Sequence, residues 1–193
     1  MDKVINLARE NVKPAIEFEM LLRPHFLHLY RIAYRFTGDC TDAEDLVQDV
    51  LLKIYPRRKE LFTVDKLQAW LTRVLYHTFI DQKRKFNRSP FSLLKFTEED
   101  ETDNLENIRS QTPNPEQQTE MNYTSRALEK ALGALNPDQR SVCILHDVEG
   151  YTLVELEEIL EVPIGTLKSR LHRARANLKN LLTEGTFSAG GSL

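Results

Sequence analysis

A cluster of cationic side chains near the end of the chain has the composition expected of a nucleic-acid contact. Residues 168–179 contain five Lys or Arg residues, one His and no acid, and residues 83–95 contain five bases and no acid. Cations in such number on one helix suit a polyphosphate partner, because each neutralised phosphate releases a counterion. Taken alone, the run at 83–95 is as typical of a solvated helix C-terminus as of a nucleic-acid contact.

Residue types that catalyse reactions or bind metals are not grouped in the same way. The chain has no glycine-rich phosphate loop, no metal-ligand cluster and no nucleophile placed beside a base. Its two cysteines, Cys40 and Cys143, lie far apart and predict neither a disulfide nor a zinc site. His25 and His28 have no third ligand nearby. We therefore expect no enzymatic activity, no metal and no cofactor.

Bulk composition is that of a globular protein. The chain has 193 residues, of which 41% are hydrophobic, and this is enough for a real core. No segment approaches the roughly 18 apolar residues of a membrane helix, and charges throughout the first twenty residues argue against a signal peptide. The sequence therefore predicts a cytoplasmic protein.

The formal net charge of -3 hides a strong charge pattern along the chain. Residues 96–120 carry eight acids against one base, Arg109, and include Pro113 and Pro115. This stretch lacks hydrophobic periodicity and reads as a flexible acidic linker between two basic regions. We predict two domains at 15–90 and 121–182, a linker at 91–120, and disorder in the first dozen residues and at 183–193.

The first domain reads as three helices. Leu22, Phe26, Leu29, Ala33 and Phe36 form the apolar stripe of the first, which Gly38 ends. A capping box at 41–44 is expected to begin the second. Its apolar side is set by Leu46, Val47, Val50, Leu51 and Ile54, whereas Asp45, Gln48, Asp49 and Leu52 share the opposite face.

The third helix, from about 65 to 87, combines an apolar stripe with a charged one. Its buried residues are predicted to be Leu67, Trp70, Leu71, Val74 and Thr78. Its outer stripe is formed by Arg73, His77, Asp81, Arg84 and Arg88, with Lys83 and Lys85 beside it. Trp70 is better explained as a core residue than as an exposed wedge.

The second domain has the pattern of a helix-turn-helix. Leu128, Leu132 and Leu135 mark one helix, Asn136-Pro137 caps the next, and a capping box at Thr152 begins a short third. After the connection at 161–163 comes a helix whose buried stripe is Ile164, Leu167, Leu171, Ala174 and Leu178. Its other side carries Lys168, Ser169, His172 and Arg173, with Arg170, Arg175 and Lys179 toward the edges. In such motifs the second helix enters the major groove.

These residues resemble a known family in the right order along both domains. Residues 165–175, GTLKSRLHRAR, with 149–152, EGYT, and 135–140, LNPDQR, look like region 4 of the extracytoplasmic-function (ECF) sigma factors of bacterial RNA polymerase. Residues 42–50, DAEDLVQDV, resemble their region 2.2. Residues 69–71, AWL, through 81–84, DQKR, resemble regions 2.3 and 2.4. The resemblance implies an all-α fold of two small helical domains.

The resemblance also implies partners and sites. The partners are the polymerase core, through its β′ clamp helices and β flap, promoter DNA, and an anti-sigma factor. The residues matching the clamp-binding positions are Asp45, Gln48 and Asp49, with Leu52 adding apolar area. The residues implied at the -10 element are His77, Asp81, Lys83, Arg84, Lys85 and Arg88, and the loop 56–64 is a candidate pocket for an unstacked base. The residues implied at the -35 element are Thr166, Lys168, Ser169, Arg170, His172, Arg173 and Arg175.

Three positions depart from the family pattern. His77 stands where asparagine is usual, which bears on promoter preference. Glu157 occupies a position usually filled by a small residue, so that its replacement by Ala is expected to leave the fold intact or to stabilise it. Glu161 replaces the usual turn glycine, and a remodelled turn is expected because a residue with a Cβ resists positive φ.

Two other functions compete with the sigma-factor reading. An ordinary transcription regulator would share the helix-turn-helix, but that function leaves the whole first domain unexplained. An enzyme acting on nucleic acid would need catalytic groups that the sequence does not bring together. The acidic face of the second helix, combined with a promoter-reading face in each domain, favours a sigma factor.

Overall fold

The computed structural model describes residues 2–88 and 127–189, which form seven α-helices and no strand, so the predicted all-α fold is confirmed. Side chains are described for residues 14–86 and 127–183. In chain order the helices are α1 (Asp2–Thr37), α2 (Cys40–Ile54), α3 (Leu67–Arg88), α4 (127–134), α5 (Pro137–Cys143), α6 (Leu153–Leu160) and α7 (Ile164–Ala189). Two 3-10 turns, Tyr55–Arg57 and Glu60–Thr63, connect α2 to α3, and a π turn, Ile144–Val148, extends α5.

Helix α1 buries most of the stripe that its sequence predicts. Leu22, Leu29, Ala33 and Phe36 are buried, but the burial of Phe26 was wrongly predicted, since 48% of it is exposed. Ile32 is fully buried instead. The elements that pack on a helix decide which part of a broad apolar stripe is covered, and periodicity alone does not show where they cross. Gly38, with φ of +82°, ends the helix as expected.

The N-cap of helix α2 lies two residues before the predicted capping box. The N-cap is Asp39, whose Oδ1 accepts a hydrogen bond of 2.8 Å from the backbone N–H of Asp42. The prediction of a box at 41–44 is therefore wrong, because Thr41 already lies within the first turn. A chain with several Asp and Thr residues before a helix offers more than one capping register.

The helix-turn-helix has the expected caps and an unusual turn. Asn136 accepts hydrogen bonds from the N–H groups of Asp138 and Gln139, and Thr152 forms the predicted reciprocal box with Glu155. Glu161 has φ of 56° and ψ of 41°, so the turn keeps the left-handed backbone without a glycine. The carboxylate of Glu157 accepts a 3.0 Å hydrogen bond from the N–H of Ile164, the first residue of α7. Glu157 thus has a structural partner that its family position did not suggest.

The buried residues of the two predicted domains form one continuous cluster. Helix α1 packs against α5 and the π turn, and α3 packs against α6. The guanidinium of Arg140 in α5, which is 8% exposed, donates a 2.7 Å hydrogen bond to the carbonyl of Phe36 at the end of α1. The described parts of the two domains are therefore packed together.

Helical backbone extends past the outer bounds that the sequence suggested. Helix α1 starts at Asp2, before the domain bound predicted at residue 15, and α7 continues to Ala189, beyond the bound predicted at 182. The proposed linker, 91–120, lies outside the described residues, and the division into domains stays a prediction.

Candidate nucleic-acid and polymerase interface

Helix α2 presents its polar face to solvent. Leu46, Val47 and Val50 are at most 2% exposed and fix the opposite side of the helix in the core. The outward residues are Asp45, Gln48, Asp49 and Leu52. Leu52 lies beside these acidic side chains and is 73% exposed, which is a large exposed fraction for an apolar residue. The structure therefore brings these four predicted residues together on an uncovered surface that suits a partner with cations around an apolar pocket.

The charged stripe of α3 lies partly at the surface and partly against the second domain. Asp81 is exposed and lies 3.7 Å from the ammonium of Lys53, which also donates to the Thr78 hydroxyl. Arg84 and Lys85 are exposed, and Lys83 lies over the ring of Phe79 at 5.7 Å. The side chain of Arg88 lies outside the described residues. The exposed cations can contact a nucleic-acid backbone, as predicted.

His77, by contrast, is half-buried. Its Nε2 lies 3.8 Å from the carboxylate of Glu161, and its ring meets that of Tyr76 edge to face. Burial lowers the pKa of His77, and Arg73 adds to this effect, although Glu161 and Asp81 oppose it. The predicted DNA-reading histidine is thus partly covered, and its Nε2 lies near Glu161 of the second domain without a hydrogen bond.

The outer side of α7 is open as predicted. Leu167, Leu171 and Ala174 are at most 5% exposed and anchor the helix, so Thr166, Lys168, His172 and Arg173 project outward. Ser169 donates to the carbonyl of Thr166 at 2.8 Å, and Arg173 lies 3.4 Å from the Ser169 hydroxyl. A hydroxyl, an imidazole and two cations on one exposed stripe are groups that can reach base edges and phosphates together.

Two of the predicted DNA-contacting arginines have partners inside the protein. Arg170 pairs with Asp138 at 3.0 Å, and the Nε of Arg175 donates to Asp147 at 3.0 Å. Hydrogen bonding from Arg175 lowers the pKa of Asp147. These contacts position α7 on α5 and on the π turn, and either arginine would have to change partners to reach DNA. Their role as DNA contacts stays a prediction.

A groove of about 480 Å³ runs beside the recognition helix. Its lining includes His146, Leu153, Lys168, His172, Arg175 and Lys179. His146 was missed by sequence reasoning, because it lies on the π turn and no periodic pattern links it to α7. The groove adds one imidazole and one apolar side chain beside the helix itself.

The connection between α2 and α3 contains Phe62, which sequence reasoning did not single out. Leu61 is buried and anchors this connection, whereas Phe62 is 55% exposed. Arg57 and Glu60 pair at 2.7 Å within it. An exposed aromatic ring offers a stacking platform for an unpaired base. The signal was an aromatic residue in the predicted pocket loop 56–64.

Sequence reasoning also missed that Glu149 and Glu161 each contact the first domain. Glu149 pairs with Arg35 and lies 3.4 Å from His28, and Glu161 pairs with Arg73. Their partners lie about a hundred residues away in sequence, so no local spacing reveals them. Within residues 2–88 and 127–189 there is no group of three potential metal ligands, and none of the helices described is long and apolar enough to cross a membrane.

Two family models match the chain in the order of the two domains. Residues 21–89 match "Sigma-70 region 2", and residues 125–178 match "Sigma-70, region 4". These spans contain the α2 and α3 faces and the helix-turn-helix, respectively.

Curated relatives match over most of the chain. It is 30% identical to the ECF RNA polymerase sigma factor SigE of Mycolicibacterium smegmatis over 167 residues, which is 86% of this chain and 62% of SigE, less than two thirds of that protein. It is 30% identical to SigM of Mycobacterium tuberculosis over 86% of this chain and 76% of SigM. Among solved structures, RpoE in complex with the anti-sigma factor NepR from Bartonella quintana matches with a TM-score of 0.62 and 30% identity. That match covers 86% of this chain and 97% of RpoE.

Proposed function

Since this chain belongs to the ECF sigma factors of bacterial RNA polymerase, we propose that it directs the core enzyme to promoters through three separate surfaces. The α2 face binds core polymerase, the end of α3 with the following connection reads the -10 element, and the outer side of α7 reads the -35 element. The observation that carries this proposal is the exposed acidic face of α2 in the same chain as two cationic DNA-reading surfaces. A regulator that binds DNA unaided has no need of that face.

At the polymerase, the α2 face supplies charge and one apolar anchor. Asp45 and Asp49 would pair with cations of the β′ clamp helices, and the largely exposed Leu52 would lose its solvent contact in the complex. Asp49 already accepts a 2.8 Å hydrogen bond from Gln82, which holds its carboxylate in place. The β flap would receive the second domain. This assignment of the four residues rests on their shared exposure and on the family match.

At the -35 element, α7 would lie in the major groove with its exposed stripe toward the base pairs. Arg173 is suited to a bidentate contact with guanine, and Lys168 to phosphate or guanine. Ser169 and His172 add smaller polar contacts. At the -10 element, the exposed cations of α3 would hold the strand while Phe62 stacks on an unpaired base.

The remaining parts of the proposal concern location and control. We infer that the chain works in the cytoplasm, where the polymerase and DNA are, and that the chemistry of RNA synthesis belongs to the core enzyme rather than to this subunit. RpoE of Bartonella quintana was solved with an anti-sigma factor, NepR. An anti-sigma factor is therefore the proposed regulator here as well, and it would act by covering the surfaces described above.

Run-off transcription with purified core polymerase tests the proposal. Changing Asp45 and Asp49 together to Lys should abolish promoter-specific transcription, because core binding would meet like charges in place of complementary ones. Circular dichroism should be unchanged, since both side chains face solvent. The matched control changes Glu17 and Glu19, two exposed acids of α1, to Lys with the same change in charge. Full transcription by the α2 variant, or equal loss in the control, would refute the proposed face.

A further inference from the structure

The ammonium of Lys53 is held at the seam between α2 and α3. Lys53 lies in the last turn of α2, one residue after Leu52, and its Nζ donates a 3.2 Å hydrogen bond to the hydroxyl of Thr78 on α3. The same Nζ lies 3.7 Å from the carboxylate of Asp81, about one turn further along α3. A lysine on a helix surface otherwise keeps a mobile four-carbon stem. These two contacts hold the charge of Lys53 in one place.

The hydroxyl of Thr78 is itself fixed in the core. Thr78 is 3% exposed, and its Oγ1 donates a 2.8 Å hydrogen bond to the carbonyl of Val74, one turn earlier on α3. Since this bond uses the single hydroxyl proton, the lone pairs of the oxygen are left to accept from Lys53. Lys53 therefore has a rigid anchor rather than a second mobile side chain as its partner.

These contacts leave part of the ammonium open to a further partner. An ammonium has three N–H groups, and Thr78 accepts from one of them. The 3.7 Å separation from Asp81 is that of an ion pair and is longer than a hydrogen bond. The side chain of Lys53 is 51% exposed. Lys53 can therefore donate to an anion that approaches from solvent.

Lys53 also lies beside the charged stripe of α3. Asp81 is placed in that stripe between His77 and Arg84, where an uncompensated carboxylate would repel a phosphate. Lys53 supplies the opposite charge at this point. Burial lowers the pKa of His77, and the charges of Arg73 and Lys53 act in the same direction, so the ammonium is within electrostatic range of the imidazole. The cationic surface of α3 thus continues onto the last turn of α2.

We propose that Lys53 is a further contact to the -10 element, and that its ammonium, anchored on Thr78, binds a phosphate of the DNA backbone. The inference rests on the proposed function, because it adds a residue to the -10-reading surface. A phosphate contact positions the protein on DNA and carries no sequence information. Lys53 therefore contributes affinity and register, and the choice among promoters is left to other residues.

Salt dependence distinguishes a phosphate contact from a simple brace between two helices. Each phosphate that a cation neutralises contributes about 0.7–0.9 to the slope of log affinity against log salt concentration. Lys53→Met keeps an apolar stem but removes the charge. In the preformed holoenzyme, this variant should lower the magnitude of the slope by about 0.7–0.9 at every promoter. Loss of a brace alone would lower the melting temperature and leave the slope unchanged.

Three further variants of the full chain complete the experiment. Arg23→Met is the matched control, because it removes one cation from an exposed ion pair with Glu19 on α1, away from the proposed contacts, and should keep the slope. Lys53→Arg retains the charge and should also keep it. Thr78→Val removes the anchor but no charge, and should weaken promoter binding about threefold in the natural chain and not in the Lys53→Met background. The sigma subunit is supplied in excess, so that core binding does not limit the measurement.

Promoter DNA with single neutral methylphosphonate linkages locates the contact. At one position of the -10 element, the neutral linkage should weaken binding by the natural chain and cause no further loss in Lys53→Met. An unchanged salt slope in Lys53→Met, or equal sensitivity of both proteins to every neutral linkage, overturns the inference. Equal loss from Thr78→Val in both backgrounds overturns the anchoring role. A natural chain whose holoenzyme binds no promoter specifically refutes the proposed function instead, which is a different result from specific binding with an unchanged slope.

Discussion

Replacing Glu157 with Ala should lower stability, because this side chain caps the recognition helix. Its Oε1 accepts a 3.0 Å hydrogen bond from the N–H of Ile164, one of the backbone donors at the start of α7 that have no partner within the helix. The carboxylate also places a negative charge at the positive end of a helix dipole. Ala removes both effects.

The size of the loss follows from comparable caps. Loss of a side-chain cap costs about 0.5–2 kcal/mol in the free energy of unfolding. The loss of a favourable charge at a helix N-terminus adds about 0.3–1 kcal/mol. The better helix propensity of Ala within α6 offsets a few tenths of a kcal/mol. We expect a net loss of about 1 kcal/mol, which lowers the melting temperature of a chain of this size by about 2–4 °C.

Thermal unfolding followed by circular dichroism measures this change. Glu158→Ala is the matched control, since the same substitution one residue further along α6 changes propensity and net charge equally at an exposed site. Glu157→Gln keeps an acceptor oxygen and should recover part of the loss. Equal melting temperatures for Glu157→Ala and Glu158→Ala would refute the capping role and would restore the expectation that a small residue suits this position.

Two further predictions concern the recognition helix and His28 of α1. Arg173→Ala should weaken binding of the holoenzyme to promoter DNA by about 1–3 kcal/mol, because it removes a bidentate contact with guanine. An equal loss of affinity for every promoter sequence would contradict base reading by this residue. Burial lowers the pKa of His28 where the two domains pack together, with His25, Arg31 and Arg35 acting in the same direction and Glu149 against it. As pH falls below about 6.5, a chain in which His28 is exposed takes up the proton first. The packing of the two domains should therefore lose stability, and the radius of gyration measured by X-ray scattering should rise. A His28→Gln variant with the same pH response would refute this cause.

The helical architecture could be predicted from the sequence because its determinants are local. The N-caps at Asn136 and Thr152 and the end of α1 at Gly38 depend on residues within one turn, and each is present as expected. The outward face of α2 follows from helical periodicity alone. By the same reasoning the exposed stripe of α7 was predictable, since its buried side contains regular Leu and Ala positions.

The features that were missed depend on packing between distant segments. The partner of Glu157 is a backbone N–H seven residues away across a turn, which a comparison of residue sizes does not consider. Glu149 and Glu161 meet residues of the first domain that no sequence spacing connects to them. Phe26 had the right period for burial but lies where the packing of α1 leaves it exposed. Arg170 pairs with Asp138, and Arg175 pairs with Asp147. These ion pairs likewise depend on where the two aspartates lie in the fold.

The most direct test of the central claim is a comparison of promoter binding by the free chain and by its complex with core polymerase. Sequence-specific gel-shift binding should be weak or absent for the free chain and should appear when core polymerase is added. The reason is that the -10-reading and -35-reading surfaces must span a fixed distance on DNA, and a flexible connection alone gives little bivalent gain. Tight, site-specific binding by the free chain that core polymerase does not enhance would contradict the account and would favour a self-sufficient DNA-binding regulator.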